Sequence, residues 1–260
     1  MDDSSREDRQ NEGVGPEAAA AATVIGSMLI ATGWARLARR APAYAPRSPR
    51  KEGVAALVVV ACITAYFALA VALVASGSRP SGVARPYDLG RMLLQFALLA
   101  PALVLLVVAL RIRREGARSI GLSRRGTGSA LALGVVLALW TALTWGKLAA
   151  LTDIQGALLY RLGAFAGVAL VEELVFRGYL QQRLVAWLGT TGGIVIASAI
   201  FALSHIPQNV LVLRVDPTEL AISQLATFGH GLALAWVMRS TQHVGAPAIL
   251  HFAIDSVGVL

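Results

Sequence analysis

Long uninterrupted blocks of apolar residues constrain this chain more than any other feature of its sequence. The blocks run to roughly 15–23 residues, the length that an α-helix rising ~1.5 Å per residue needs to cross a hydrocarbon core about 30 Å thick. Charged residues make up only 15% of the 260 positions, too few to cover the surface of a soluble domain of this size. The sequence therefore predicts an all-α fold, a polytopic transmembrane helix bundle.

The apolar blocks predict seven or eight helices, preceded by a polar, acidic and disordered tail at residues 1–17. The two-residue alternation that a membrane β-barrel needs is missing. The first span is the weakest because it is rich in alanine and contains Gly26 and Gly33. The candidate spans lie at about residues 18–35, 54–76, 92–110, 129–148, 158–176, 192–206, 219–238 and 246–260.

Basic residues between the spans orient the bundle. Two clusters of arginine and lysine lie in segments 36–53 and 111–128, and two spans separate them, so both face the same side. The positive-inside rule makes that side cytoplasmic. The net charge of +8 does not indicate a nucleic-acid partner, because the basic runs lack interleaved aromatic residues and a recognition motif. We predict a multi-pass protein of the plasma (cytoplasmic) membrane; the sequence does not indicate its oligomeric state.

Ionisable residues inside the spans are concentrated after residue 157, although each costs ~2.5–3.5 kcal/mol on insertion scales. On a helix, Glu173 and Arg177 share a face and can form an ion pair. Glu172 points ~100° away and has no partner nearby in the sequence. Gly163 and Gly167 form a small-residue pair for close helix contact on a different face, so the two faces should serve different neighbours.

Two histidines follow in later spans. Phe201 precedes His205 by four residues at the end of one apolar block, and His251 precedes Asp255 by four residues in another. Asp255 shares a face with His251, so it can accept the imidazole N–H or join a site directly. Each group alone also fits an interfacial residue or a packing pair. Together, the five ionisable side chains inside the predicted spans would cost on the order of 10 kcal/mol unless they meet one another, water or a metal ion. They are Glu172, Glu173, His205, His251 and Asp255.

The ordered motifs E-E-x-x-x-R, F-x-x-x-H and H-x-x-x-N/D on separate apolar segments resemble those of the CAAX-prenyl endopeptidase and bacteriocin-processing (CPBP, or Abi) family of intramembrane proteases. The resemblance covers about residues 158–258, and the basic stretch 120–125 is similar to one often found upstream. It implies an intramembrane protease core at 129–260, behind N-terminal transmembrane helices and basic cytoplasmic loops at 18–128. Asp255 stands where the prenyl-protein endopeptidases usually have Asn.

The resemblance implies an endopeptidase that hydrolyses a peptide bond of a membrane-associated protein or peptide. It implies that Glu172 is the base that activates water, and that His205 and His251, with Asp255, hold a divalent metal ion or the oxyanion. Zinc is the expected metal, with Glu172 a further candidate ligand, while Glu173 and Arg177 orient the ligands. Activation of water by a metal ion and by glutamate alone both remain open.

Two other classes of function also remain open. One is a non-proteolytic membrane partner of the same fold, for example an immunity-type protein. The other is a transporter that passes a proton or metal ion through the same cluster, but this predicts an inverted repeat that the sequence lacks. His230, flanked by Gly229 and Gly231, is more typical of a packing residue than of a ligand.

Overall fold

A computed structural model describes residues 15–38, 43–77, 88–152 and 156–258. Within these ranges the chain is helical and has no strand, so the all-α prediction is confirmed. Most of the predicted tail, residues 1–14, lies outside the described residues. The first helix begins at Pro16, a residue suited to the first helical position, so it includes the last two residues of that tail.

The described ranges contain eight α-helices of 13 residues or more. They are α1 (Pro16–Leu37), α2 (Pro49–Gly77), α3 (Leu89–Ile112), α4 (Thr127–Thr144), α5 (Ala157–Glu173), α6 (Gln182–Ser204), α7 (Pro217–Thr241) and α8 (Gly245–Val257). Six stretches in these ranges are long and apolar enough to cross a membrane, if the continuous run Leu158–Leu213 is counted once. The chain is therefore a multi-pass integral membrane protein.

The weak first span folds as a full helix because its small residues form the packing face. Ala19, Thr23, Ser27 and Ala31 recur at every fourth position of α1 and are its buried residues. They allow α1 to pack closely against α4 and α7. The alanine-rich composition that weakened the prediction thus reflects helix–helix contact.

The helix that contains the glutamate pair continues well beyond its predicted end. From α5 the chain passes through a π-helical segment, Leu174–Gln181, directly into α6. It breaks at Gly189, whose φ of 77° lies in the left-handed region that favours glycine. Gly193 then lies against the backbone of Leu184 and Val185, so the chain doubles back as a helical hairpin with arms 157–188 and 190–204.

The prediction that this helix ends near Arg177 is therefore wrong. The part of the helix between Arg177 and Gly189 is largely covered by other segments of the protein, and its polar side chains form contacts with them. Arg183 forms an ion pair with Glu115 and lies 4.7 Å and 3.8 Å from the ring centroids of Tyr44 and Tyr179. Tyr44 donates a hydrogen bond to the same Glu115, and its pKa is raised above the ordinary range by burial and by that bond.

The position of α8, the helix that carries His251, is set by its packing against two helices and by the turn before it. α8 packs against both α4 and α5. The turn before it is fixed by Gly121, whose carbonyl accepts a hydrogen bond of 3.1 Å from the Val244 N–H. Gly121 has a φ of 75° and lies next to Met238, so the loop, the end of α7 and the start of α8 meet there.

The glycine pair of α5 packs where the sequence places it. Gly163 lies against Met92 and Gly167 against Phe96, both on α3, whereas α8 packs on another side of α5. The two faces of this helix therefore serve different neighbours, as predicted.

Candidate active site

Side chains from α5, α8 and the end of α6 converge on Glu172. Its Oε2 lies 3.7 Å from Nε2 of His251 and 3.9 Å from Nε2 of His205. The Oδ2 of Asp255 lies 3.7 Å from the same nitrogen of His251. The three sequence motifs thus meet at one place in the fold.

Glu173 forms hydrogen bonds on the buried side of the site. Its Oε1 accepts a hydrogen bond of 2.9 Å from Arg177 and lies 2.9 Å from Nδ1 of His251. The exposed fractions are 0% for Glu173 and 1% for Arg177, so this is an ion pair away from solvent. Arg177 also reaches the carbonyl of Gly231 on α7, at 3.5 Å. Sequence reasoning considered Asp255 as the partner that fixes the His251 tautomer, but Glu173 makes that hydrogen bond.

Hydrogen bonds to Nδ1 fix the orientation of both imidazole rings. Nδ1 of His205 lies 2.8 Å from the Phe201 carbonyl, which can only accept, so this nitrogen carries the hydrogen. The same holds for Nδ1 of His251, because its partner is Oε1 of Glu173, the oxygen that accepts the hydrogen bond from Arg177. Both histidines therefore have Nε2 as the atom nearest to Glu172, and in the neutral imidazole this nitrogen carries the free lone pair.

Phe201 joins the two histidines to the buried ion pair. Its ring centroid lies 3.9 Å from the guanidinium carbon of Arg177, and 4.7 Å and 5.6 Å from the ring centroids of His205 and His251. Edge-to-face contact with Phe176 supports it from the π-helical segment. The sequence motif includes Phe201, but the spacing alone gave it no role.

Among the described residues, the buried Oε2 of both glutamates has no hydrogen-bond partner, but Glu173 is held through its Oε1 by Arg177 and His251, and Glu172 has no such contact. In the part of the chain that the structure describes, Oε2 of Glu172 is inaccessible and unbonded, while its side chain as a whole is 22% exposed. The separations of 3.7 Å and 3.9 Å from the imidazoles are too long for direct hydrogen bonds. Because part of the Glu172 side chain lines the cavity, a water molecule there can still reach the carboxylate.

The donor atoms of this site are of the kinds that bind a divalent cation, but the distances between them are slightly too long for one. Two imidazole lone pairs, two carboxylates and a further carboxylate behind His251 are features of zinc sites. Bonds of ~2.0–2.2 Å in a tetrahedron place neighbouring donors about 3.3–3.6 Å apart, slightly closer than the distances above. Among the described residues, no group of three or more His, Cys, Asp and Glu side chains is arranged to hold a metal ion.

A cavity of about 630 Å³ connects these residues to the surface between α2, α3, α5 and α8. Glu172, His205, His251 and Asp255 all line it. Much of the remaining wall is apolar and includes Phe67, Val71, Leu94, Leu98, Phe165 and Val168. Such a cavity suits a substrate that brings apolar groups from the membrane to a polar reacting centre.

The hairpin explains why Glu172 and His205 meet. Glu172 lies 17 residues before Gly189 and His205 lies 16 residues after it, so the two arms carry them to the same level, about 24–26 Å from the break. The glutamates therefore lie near the middle of the arm 157–188. A helix that ended near Arg177 would instead have put them close to the cytoplasmic end of their span.

Comparison with known proteins agrees with the motifs. Residues 154–257 match the model of a family described as type II CAAX prenyl endopeptidase Rce1-like. This range includes Glu172, Glu173, Arg177, His205, His251 and Asp255. The resemblance predicted from the sequence is thereby confirmed for this part of the chain. No curated protein and no solved structure matches the chain.

Proposed function

We propose that this multi-pass membrane protein, whose residues 154–257 resemble CAAX-type endopeptidases, is an intramembrane endopeptidase acting on a membrane-associated protein or peptide. The observation that carries the proposal is the unbonded, buried Oε2 of Glu172, which faces two imidazole nitrogens at 3.7 Å and 3.9 Å. The Glu172 side chain is partly exposed, so its carboxylate is available to take a proton from water, whereas Glu173 is fully buried and is held through Oε1 by Arg177 and His251.

The geometry supports hydrolysis by general base catalysis. The carboxylate of Glu172 accepts a proton from water while the water oxygen bonds to the substrate carbonyl carbon. Nε2 of an imidazole accepts the second hydrogen of that water in a hydrogen bond and holds it in place. The tetrahedral intermediate then collapses as its C–N bond breaks, and the proton held by Glu172 passes to the leaving nitrogen. The products are a carboxylic acid and an amine.

The same residues are the ones that would hold a divalent metal ion. We propose zinc, with Glu172, His205, His251 and Asp255 as the donor set. When bound, the ion would polarise the substrate carbonyl and favour ionisation of water. The bond from Glu173 to Nδ1 of His251 would then orient that ligand, as carboxylates do behind metal-bound histidines.

The family match and the cavity wall support a proposal for the substrate class, and the basic loops support one for the membrane. The matched family is named for prenylated CAAX proteins, and the largely apolar cavity wall is compatible with a lipid-bearing peptide. Asp255 at the position of the usual Asn makes a peptide without a prenyl group an equal candidate. We propose the cytoplasmic membrane as the location, with the basic loops on the cytoplasmic side.

The proposal is tested with the purified protein in lipid vesicles and two matched quenched-fluorescent peptides, one prenylated and one not. We expect cleavage of at least one peptide, identified by mass spectrometry of the fragments. For the metal, we expect bound zinc in the purified protein by elemental mass spectrometry, and less zinc in His205→Ala. A protein that binds these peptides without cutting either would favour the non-proteolytic partner. Activity that survives complete removal of zinc would refute the metal proposal alone.

A further inference from the structure

A second cavity, separate from the candidate active site, lies between α1, α7 and the beginning of the second hairpin arm. Its volume is about 260 Å³. None of its lining residues belongs to the three sequence motifs. The wall includes Thr32, Arg36, Thr190, Trp236, Arg239 and Ser240.

Two arginines line this cavity from two different helices. Arg36 lies in the last turn of α1 and Arg239 in the last turn of α7, and the two helices pack against each other. Arg113, Arg177 and Arg183 each pair with a carboxylate, whereas Arg36 and Arg239 have no carboxylate partner among the described residues. A cation in a last turn interacts favourably with its own helix dipole, but this does not explain why two such cations share one cavity.

The other lining groups suit the same kind of ligand. Trp236 donates a hydrogen bond of 2.9 Å from its indole nitrogen to the Thr32 hydroxyl, which fixes the ring at the cavity. Tryptophan is enriched where membrane and water meet. Thr190 and Ser240 add hydroxyl donors, and none of the lining residues carries a carboxylate. Two guanidinium groups with hydroxyl donors, at the end of the bundle that the basic loops mark as cytoplasmic, form a site for a phosphate group.

An exposed apolar track leads away from this cavity along α1. Ile25, Leu29, Thr32 and Arg36 are spaced four, three and four residues apart, so they lie on one side of the helix. Ile25 is 59% exposed and Leu29 is 68% exposed. The track extends about 16 Å from Arg36 into the span. A ligand with a phosphate at the cavity would lay an acyl chain along it.

We propose that this cavity binds the head group of an anionic phospholipid, with its phosphate held by Arg36 and Arg239. The volume lies just below the ~300–1,000 Å³ of pockets that enclose whole small molecules, which fits a head group whose acyl chains stay in the bilayer. The bound lipid bridges α1 and α7 beside the hairpin break at Gly189. It is therefore a structural ligand of the bundle, distinct from any substrate.

The experiment measures lipid binding to the full-length protein in an uncharged detergent, by native mass spectrometry and by thermal unfolding. Short-chain phosphatidylglycerol is titrated against the wild type, Arg36→Gln and Arg36→Gln/Arg239→Gln. The matched control is Arg118→Gln, which removes the same charge from an exposed position on the same side. We expect each pocket substitution to weaken binding about fivefold, the equivalent of about 1 kcal/mol per basic residue, and the control to have no effect.

Three results would overturn the proposal. One is a double variant that binds phosphatidylglycerol as tightly as the wild type. Another is equal stabilisation by phosphatidylcholine, which carries no net charge. The third is equal stabilisation by inorganic phosphate or glycerol phosphate at the same concentration, which would make this a site for soluble anions. Because the readout is lipid binding, its outcome does not depend on whether the protein is a protease.

Discussion

Substituting Glu173 by glutamine removes one charge from the most deeply buried ion pair of the site while keeping the shape of the side chain. Arg177 is 1% exposed and pairs with this carboxylate at 2.9 Å, so the substitution leaves a cation unpaired away from solvent. Removing one partner of such a pair costs about 3–5 kcal/mol. For a chain of this length, that corresponds to a fall in the unfolding midpoint on the order of 10 °C.

Glu172→Gln is the matched control, because it makes the same chemical change one residue earlier on the same helix. The side chain of Glu172 is 22% exposed and its buried oxygen has no hydrogen-bond partner, so stability should change by less than ~1 kcal/mol. The assay is thermal unfolding of both purified variants in one detergent, with the yield of monodisperse protein as a second readout. Equal losses of stability in the two variants would refute the division between a structural and a chemical carboxylate.

Two further predictions concern packing and orientation. Gly178→Ala should destabilise the protein by about 1–3 kcal/mol in thermal unfolding, because its Cβ would meet a backbone carbonyl of the preceding loop, whereas Gly128→Ala has open space and should be neutral or stabilising. In a Cys62→Ala background, a membrane-impermeant thiol reagent should label Thr152→Cys in intact cells. It should label Arg118→Cys only after the cells are permeabilised. Labelling of Arg118→Cys in intact cells would show that the orientation is inverted.

Helical spacing in the sequence was sufficient to predict the contacts of residue pairs that lie on one helix. The spacing of Glu173 and Arg177 predicts their ion pair, and the structure has it. The glycine spacing of α5 predicts a separate packing face, which meets Met92 and Phe96. Both predictions hold because helical periodicity alone decides which residues share a face.

The features that were missed depend on contacts between segments far apart in the chain. Hydropathy placed the helix end near Arg177, because it cannot distinguish polar residues facing water from polar residues covered by protein, as Arg183 is by Glu115 and Tyr44. The hydrogen bond from His251 to Glu173 joins residues 78 positions apart and depends on how α8 lies against α5. No spacing within one segment could have chosen Glu173 over Asp255.

The central claim is that the unbonded carboxylate of Glu172 activates the water that cuts the peptide bond. The most direct measurement is single-turnover cleavage in ¹⁸O-labelled water by the wild type and by Glu172→Gln, in the same vesicles and with the same peptide. We expect the wild type to place one ¹⁸O atom in the new carboxyl terminus, and Glu172→Gln to cleave about 10²–10⁴-fold more slowly while it stays folded. Cleavage by Glu172→Gln at the wild-type rate, or a product without the label, would contradict this mechanism.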